Sequence, residues 1–270
     1  MPHNSKASPE ATIHTIKVIF EFGISTICSK MSKTVSILKK PYDFLILIIS
    51  MTGFVPKHAT VLRTVTMLAS VAFAYYLSNY QPLNSKLAIT YFLAFEVFYV
   101  GFITIALSKN GLRLWFIKTW GEERGYLAFE AILGFLFFHN GVSIGYIASS
   151  TPGDLFHFVP ENLILIIVVI LFVSGFLIKI LAAKAVSIDI YYWKDMFLGR
   201  KICEFVVGGP YKYFKNPMYG LGQLQAYATA IWYGSAYGLT AAFLNQALIF
   251  TFYYLVETEF IRRVYIKGAV

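Results

Sequence analysis

Long apolar runs alternate with short polar, basic stretches along most of the chain. Runs at 60–78, 87–107, 126–148 and 163–181 each approach or exceed the ~20 residues that one helix needs to cross a bilayer. From 218 to 256 not one charged residue occurs, a length that suits two crossings, 218–237 and 239–256, with Gly238 at the tip between them. These six runs predict an all-α polytopic transmembrane bundle of about six spans that ends in a helical hairpin. The run at 44–55 is only twelve residues long and reads as a re-entrant or interfacial piece. Residues 13–28 are apolar on average but contain Lys17 and Glu21 and precede Lys30, Lys33, Lys39 and Lys40, a mixture that suits an amphipathic helix lying on the membrane. The chain therefore divides into an interfacial region at 1–58, N-terminal membrane helices at 59–158 and a C-terminal membrane region at 159–270.

Composition agrees with this class. The chain is 57% hydrophobic and 14% charged, against ~25% charged in soluble domains. The net charge of +9 does not imply nucleic acid, because the basic residues cluster in the loops, where they orient spans and meet anionic lipid. The 149–162 loop holds Asp154 and Glu161 with no Lys or Arg, which places it outside. The 108–125 and 182–216 loops and the C-terminal tail with Arg262, Arg263 and Lys267 are basic, which places them and both termini in the cytosol. Cys28 and Cys203 form neither a disulfide framework nor a metal-ligand pattern, so no metal is expected.

Candidate chemistry sits at the two ends of the hairpin. The stretch Gly208-Gly209-Pro210-Tyr211-Lys212-Tyr213-Phe214-Lys215-Asn216-Pro217-Met218-Tyr219-Gly220 is basic, and its Gly-Gly-Pro and Asn-Pro steps interrupt helix. Pro217 suits the first turn of a new helix. After the uncharged run come Glu257, Thr258 and Glu259, then Arg262, Arg263 and Tyr265. An out-and-back hairpin returns these acids to the face that carries Lys215, Asn216 and Pro217. On a helix Glu257 and Glu259 lie roughly 200° apart and so meet different partners. Within the spans, Glu96, Glu130, His139 and Asn140 predict helix-to-helix hydrogen bonding, with Glu96 also shaping a lipid-facing cavity. Tyr191, Tyr192 and Trp193 read as an interfacial aromatic belt.

The Gly-Pro-Tyr-Lys-Tyr-Phe-Lys-Asn-Pro-Met-Tyr string, the hairpin and Glu-x-Glu-Phe-Ile-x-x-x-Tyr together resemble the integral-membrane phospholipid N-methyltransferases. The resemblance spans 172–265 and is shared more loosely with isoprenylcysteine carboxyl methyltransferases and membrane sterol reductases. Residues 93–99 add a fainter likeness to the N-terminal half of the fungal-type enzymes. Asn216 stands where many relatives have His, and Thr258 separates two glutamates that are often adjacent. The resemblance implies S-adenosylmethionine as cofactor and a phospholipid headgroup amine as acceptor, from phosphatidylethanolamine towards phosphatidylcholine. The membrane implied is the endoplasmic reticulum in a eukaryote and the cytoplasmic membrane in a bacterium.

Under that resemblance Glu257 goes to the cofactor, while Glu259 assists it or takes the amine proton, and Tyr219 meets the adenine or the amine. Gly175, Tyr211, Lys215, Asn216, Pro217 and Gly220 complete the expected cofactor site, with Tyr211 offering its ring to a sulfonium or methylammonium. Lys212, Arg262 and Arg263 are expected to hold the lipid phosphate, and Glu96 to border the lipid. An isoprenylcysteine carboxyl methyltransferase, with the same cofactor site and a carboxylate acceptor, is the alternative enzyme. A transporter or other non-enzymatic membrane protein is the alternative from a different class.

Overall fold

A computed structural model describes residues 41–204, 206 and 208–266. The surface helix expected at 13–28, the lysines at 30, 33, 39 and 40, and Lys267 lie outside the described residues. Ten α-helices and no strand occur among the described residues. They are α1 (Pro41–Ser50), α2 (Val61–Tyr80), α3 (Ser85–Leu107), α4 (Arg113–Ser150), α5 (Glu161–Val186), α6 (Ile188–Tyr191), α7 (Lys194–Leu198), α8 (Leu224–Trp232), α9 (Ala236–Phe252) and α10 (Thr258–Ile261). Two π-helical turns, Tyr253–Glu257 and Arg262–Ile266, continue α9 without a break through α10.

Polar caps start the helices where the apolar runs begin. Thr60 accepts from the Arg63 N–H, Asn84 from Leu87 and Ser235 from Gly238, each satisfying a backbone donor that a helix start leaves unmade. Helix α4 turns at Gly121, whose φ of +77° is outside helical values, so the expected span at 126–148 is the second part of a longer element. Helix α1 is ten residues long, in keeping with a segment too short to cross. It lies beside α5, where Met51 packs with Ile180 and Ala183.

Among the described residues, five helices are long and apolar enough to cross a membrane: α2, α3, α4, α5 and the continuous 236–266 segment. Apolar side chains on α2 and α5 face outward, including Val61, Leu62, Leu68, Ile166 and Ile170. Such a surface is stable against lipid rather than water, and the chain is an integral membrane protein.

The fifth run differs from the expectation of one regular helix at 218–237. A turn at 217–220 and a 3₁₀ segment, Leu221–Gln223, precede α8, which is only nine residues long. The hairpin tip is at Gly234 (φ +57°) and not at Gly238, because the Ser235 hydroxyl caps α9 one residue later. Gly238 lies inside α9, close against Ala148. Gly153 donates its N–H to the Tyr233 carbonyl at 3.0 Å, joining the hairpin tip to the loop between α4 and α5.

Buried polar groups within the spans pair from helix to helix. His139 bonds the Tyr91 hydroxyl at 2.6 Å and the Ser70 hydroxyl at 3.0 Å. Glu130 receives Arg63 at 3.0 Å and contacts His58 at 2.6 Å. Unpaired polar atoms are costly in lipid, so each pairing ties specific helices together. One aromatic-rich core, with Phe116, Phe129, Phe197 and Phe252, fills the end of the bundle into which α6 and α7 fold.

Candidate active site

Backbone interruptions place the first site residue. Asn216 begins a turn in which its side-chain oxygen lies 3.4 Å from the Tyr219 N–H and its carbonyl accepts from Gly220. Pro217 accepts from the Gly222 N–H at 2.8 Å. The carbonyls of Tyr219 and Gly220 have a helix-borne partner: the Gln246 amide of α9 donates to both, at 2.9 and 3.1 Å. Tyr227 donates to the other end of that amide at 2.6 Å, fixing its orientation. Backbone groups buried away from water need such partners.

This support aims the buried Tyr219 side chain at the π-helical turn. Its hydroxyl donates to Glu257 Oε2 at 2.9 Å. Burial, and then the charge of Glu257, push the Tyr219 hydroxyl well above its ordinary pKa, so it remains a donor. The Trp193 indole also hydrogen-bonds Glu257. Trp193 has a left-handed backbone (φ +52°) and packs edge-on to Phe252. A bulky residue in that region is strained, and strained residues concentrate at functional sites. One carboxylate is thus held by two donors from segments far apart in sequence.

A second carboxylate lies on the same wall. Asp195 accepts the Tyr265 hydroxyl at 2.8 Å and the Met196 N–H at 2.8 Å. Burial raises its pKa, and the Tyr265 and backbone hydrogen bonds oppose that rise.

Glu257, Tyr219 and Asp195 border a cavity of about 1620 Å³. Tyr211, Lys212, Lys215, Asn216, Gly220 and Arg262 line it too. Burial pushes the Tyr211 hydroxyl upward, leaving an uncharged ring in the wall. The cavity continues past Phe172 and Phe176 of α5 to Asn140 and Asn245.

Five expected site residues stand elsewhere. Glu259 is exposed and lies beside Lys109 and Arg263 in a separate small cleft of about 40 Å³. Arg263 is therefore also away from the main cavity. Gly175 serves packing: a Cβ there would approach the Gln225 nitrogen to 2.7 Å. Pro217 is fully buried beneath the turn. Glu96 sits behind the cavity, accepting from Asn140 and Asn245, both at 2.9 Å. The belt expected at 191–193 is also corrected, since Tyr192 and Trp193 are buried and all three rings line the cavity. Their neighbours α6 and α7 fold into the bundle end, where apolar surface is covered by protein.

Sequence reasoning missed Trp193, Asp195 and Gln246. The signal available was the Trp-Lys-Asp step immediately after the aromatic pair, and a lone Gln inside an uncharged run.

Residues 163–268 match the phospholipid methyltransferase family. This stretch contains both sides of the Tyr219–Glu257 contact, and Asp195 as well. A segment of 94 residues is 32% identical to phosphatidylethanolamine N-methyltransferase B of Dictyostelium discoideum. That alignment covers 35% of this chain and 46% of the relative, so it spans about half of the relative's length. No solved structure matches.

Proposed function

We propose that the protein methylates a phospholipid headgroup amine, phosphatidylethanolamine or its mono- or dimethyl derivatives, with S-adenosylmethionine as donor. The Tyr219–Glu257 hydrogen bond carries this reading, because it joins the two family-like motifs at the wall of one large cavity. The wall fits a cationic donor: it combines two carboxylates, Glu257 and Asp195, with the rings of Tyr211, Tyr219 and Trp193. When bound, the donor supplies an electrophilic methyl group.

Glu257, Tyr219, Asn216 and Lys215 would hold the donor, with Tyr219 and Trp193 fixing the carboxylate in place. Holding both reactants in line supplies much of the acceleration in a direct displacement. A protonated amine has no lone pair for attack, so a nearby base must take its proton. Asp195 suits that role better than Glu259, because it borders the cavity and burial raises its basicity. Lys212 and Arg262 border the same space and suit the polar end of the lipid.

The decisive experiment is transfer of radiolabel from S-adenosylmethionine in mixed micelles. Label in extracted polar lipid is expected. Label in a prenylated peptide alone would move the reading to the carboxyl methyltransferases, and no label in either would overturn the enzymatic reading.

We further propose that this wall faces the cytosol, where the soluble donor exists, with both termini on that side. The basic 182–216 loop and the acidic 149–162 loop support this orientation. A cysteine substituted at position 154 should then react with an impermeant reagent only from the opposite side. Reaction from the cytosolic side alone would reverse the topology.

A further inference from the structure

Helix α5 carries a cation that no part of the proposed chemistry uses. The most apolar window of this helix has a mean hydropathy of 3.1, yet Lys179 borders the cavity. It is off the lipid-facing row at 166, 170, 173, 177 and 181, where the large apolar side chains are exposed. Lys179 lies three residues after Phe176 and seven after Phe172, and so shares their helix face. Its Cα lies ~4.5 Å along the axis beyond that of Phe176. Gly222 lies opposite, where even an added Cβ would be 3.6 Å from the Lys179 Cβ, so the aliphatic stem runs beside bare backbone.

Among the described residues Lys179 has no hydrogen bond or ion pair. Several other cations do: Lys57 and Lys194 share Asp189, Arg63 meets Glu130, and Arg200 meets Glu122. The cavity carboxylates Glu257 and Asp195 are instead engaged by Tyr, Trp and backbone donors. A half-buried ammonium without a counter-charge is costly in an apolar span, and an anion brought by a ligand offsets that cost.

We infer that Lys179 binds the phosphate diester of the phospholipid inside the cavity. This rests on the phospholipid methyltransferase reading. The lipid then lies with apolar chains against Phe172 and Phe176 and its phosphate at Lys179. Its amine, which a neighbouring ammonium repels, extends towards Tyr219 and Glu257. The other anion that such a ligand set contains is the amino-acid carboxylate of the donor.

The test is calorimetric binding in detergent without turnover, on the parent, Lys179→Gln and Lys179→Arg. The probes are dihexanoyl phosphatidylethanolamine, dihexanoylglycerol, S-adenosylhomocysteine and methylthioadenosine. Lys179→Gln should lose tenfold or more in affinity for the phospholipid while its affinities for dihexanoylglycerol and S-adenosylhomocysteine stay unchanged. Lys179→Arg should retain phospholipid binding. A loss confined to S-adenosylhomocysteine, with methylthioadenosine unaffected, would assign the lysine to the donor carboxylate and overturn the inference. Equal losses in Gln and Arg variants would mean packing alone, and no loss in either would mean no anion contact; both overturn it. Because binding is read without catalysis, a parent that binds phospholipid but transfers no methyl group would defeat the enzymatic reading and leave this one standing.

Discussion

Glu257→Gln is expected to weaken binding of S-adenosylmethionine by an order of magnitude or more while leaving the protein folded in the membrane. The substitution keeps the size of the side chain and an oxygen that can still accept from Tyr219, whose hydroxyl lies 2.9 Å from the present carboxylate. It removes the negative charge offered to a cationic donor, and one of the two acceptor oxygens. Hydrogen bonds to charged groups are worth about 1.5–3 kcal/mol, and every 1.4 kcal/mol is tenfold in affinity. Calorimetry in detergent, with the thermal midpoint measured alongside, separates this from unfolding. Equal affinity in variant and parent would remove Glu257 from the donor site.

Asp195→Asn should lower kcat by ~10²-fold or more, the usual scale for loss of a positioned base, with a smaller effect on donor affinity. Asn keeps one oxygen to accept from the Met196 N–H, and its NH2 can donate to the Tyr265 hydroxyl, which turns to accept, so the local structure is preserved. The pH profile gives the sharper readout. Only the ionised carboxylate can take a proton, and burial has raised the pKa of Asp195. Activity of the parent should therefore fall as pH drops through that raised value, and the variant should lose this limb. A variant with kcat within twofold of the parent, or with the same acid limb, would leave the proton to water or to another group.

The sequence was informative wherever length and charge pattern alone decide the outcome. Five of the six apolar runs form helices of spanning length, because lipid offers no partner to an open backbone; the run at 218–237 is the exception. The uncharged run from 218 to 256 is long enough to go out and return, so the pairing of the Asn-Pro-Met-Tyr stretch with the Glu-Thr-Glu stretch could be read from the sequence. The angular separation of Glu257 and Glu259 was legible too, but not which of them the cavity would receive. That depends on how α9 is rotated against its neighbours, and the π-helical turn at 253–257 changes the rotation locally.

Only tertiary packing decided the remaining parts of the site. Residues 191–193 have the composition of a membrane-surface belt, and burial became visible only when α6 and α7 folded into the bundle end. Gly175 looked like a ligand contact until α8 came within reach of its missing side chain. The irregular backbone from 217 to 223 is stabilised by Gln246, roughly 25 residues away in sequence, whose amide no local pattern connects to that turn. Asp195 entered the site in the same way, through Tyr265 at the far end of the last helix. Local rules specify where helices and turns occur, because they act over a few residues. The site is made by hydrogen bonds and contacts between distant segments, and these exist only once the helices have packed.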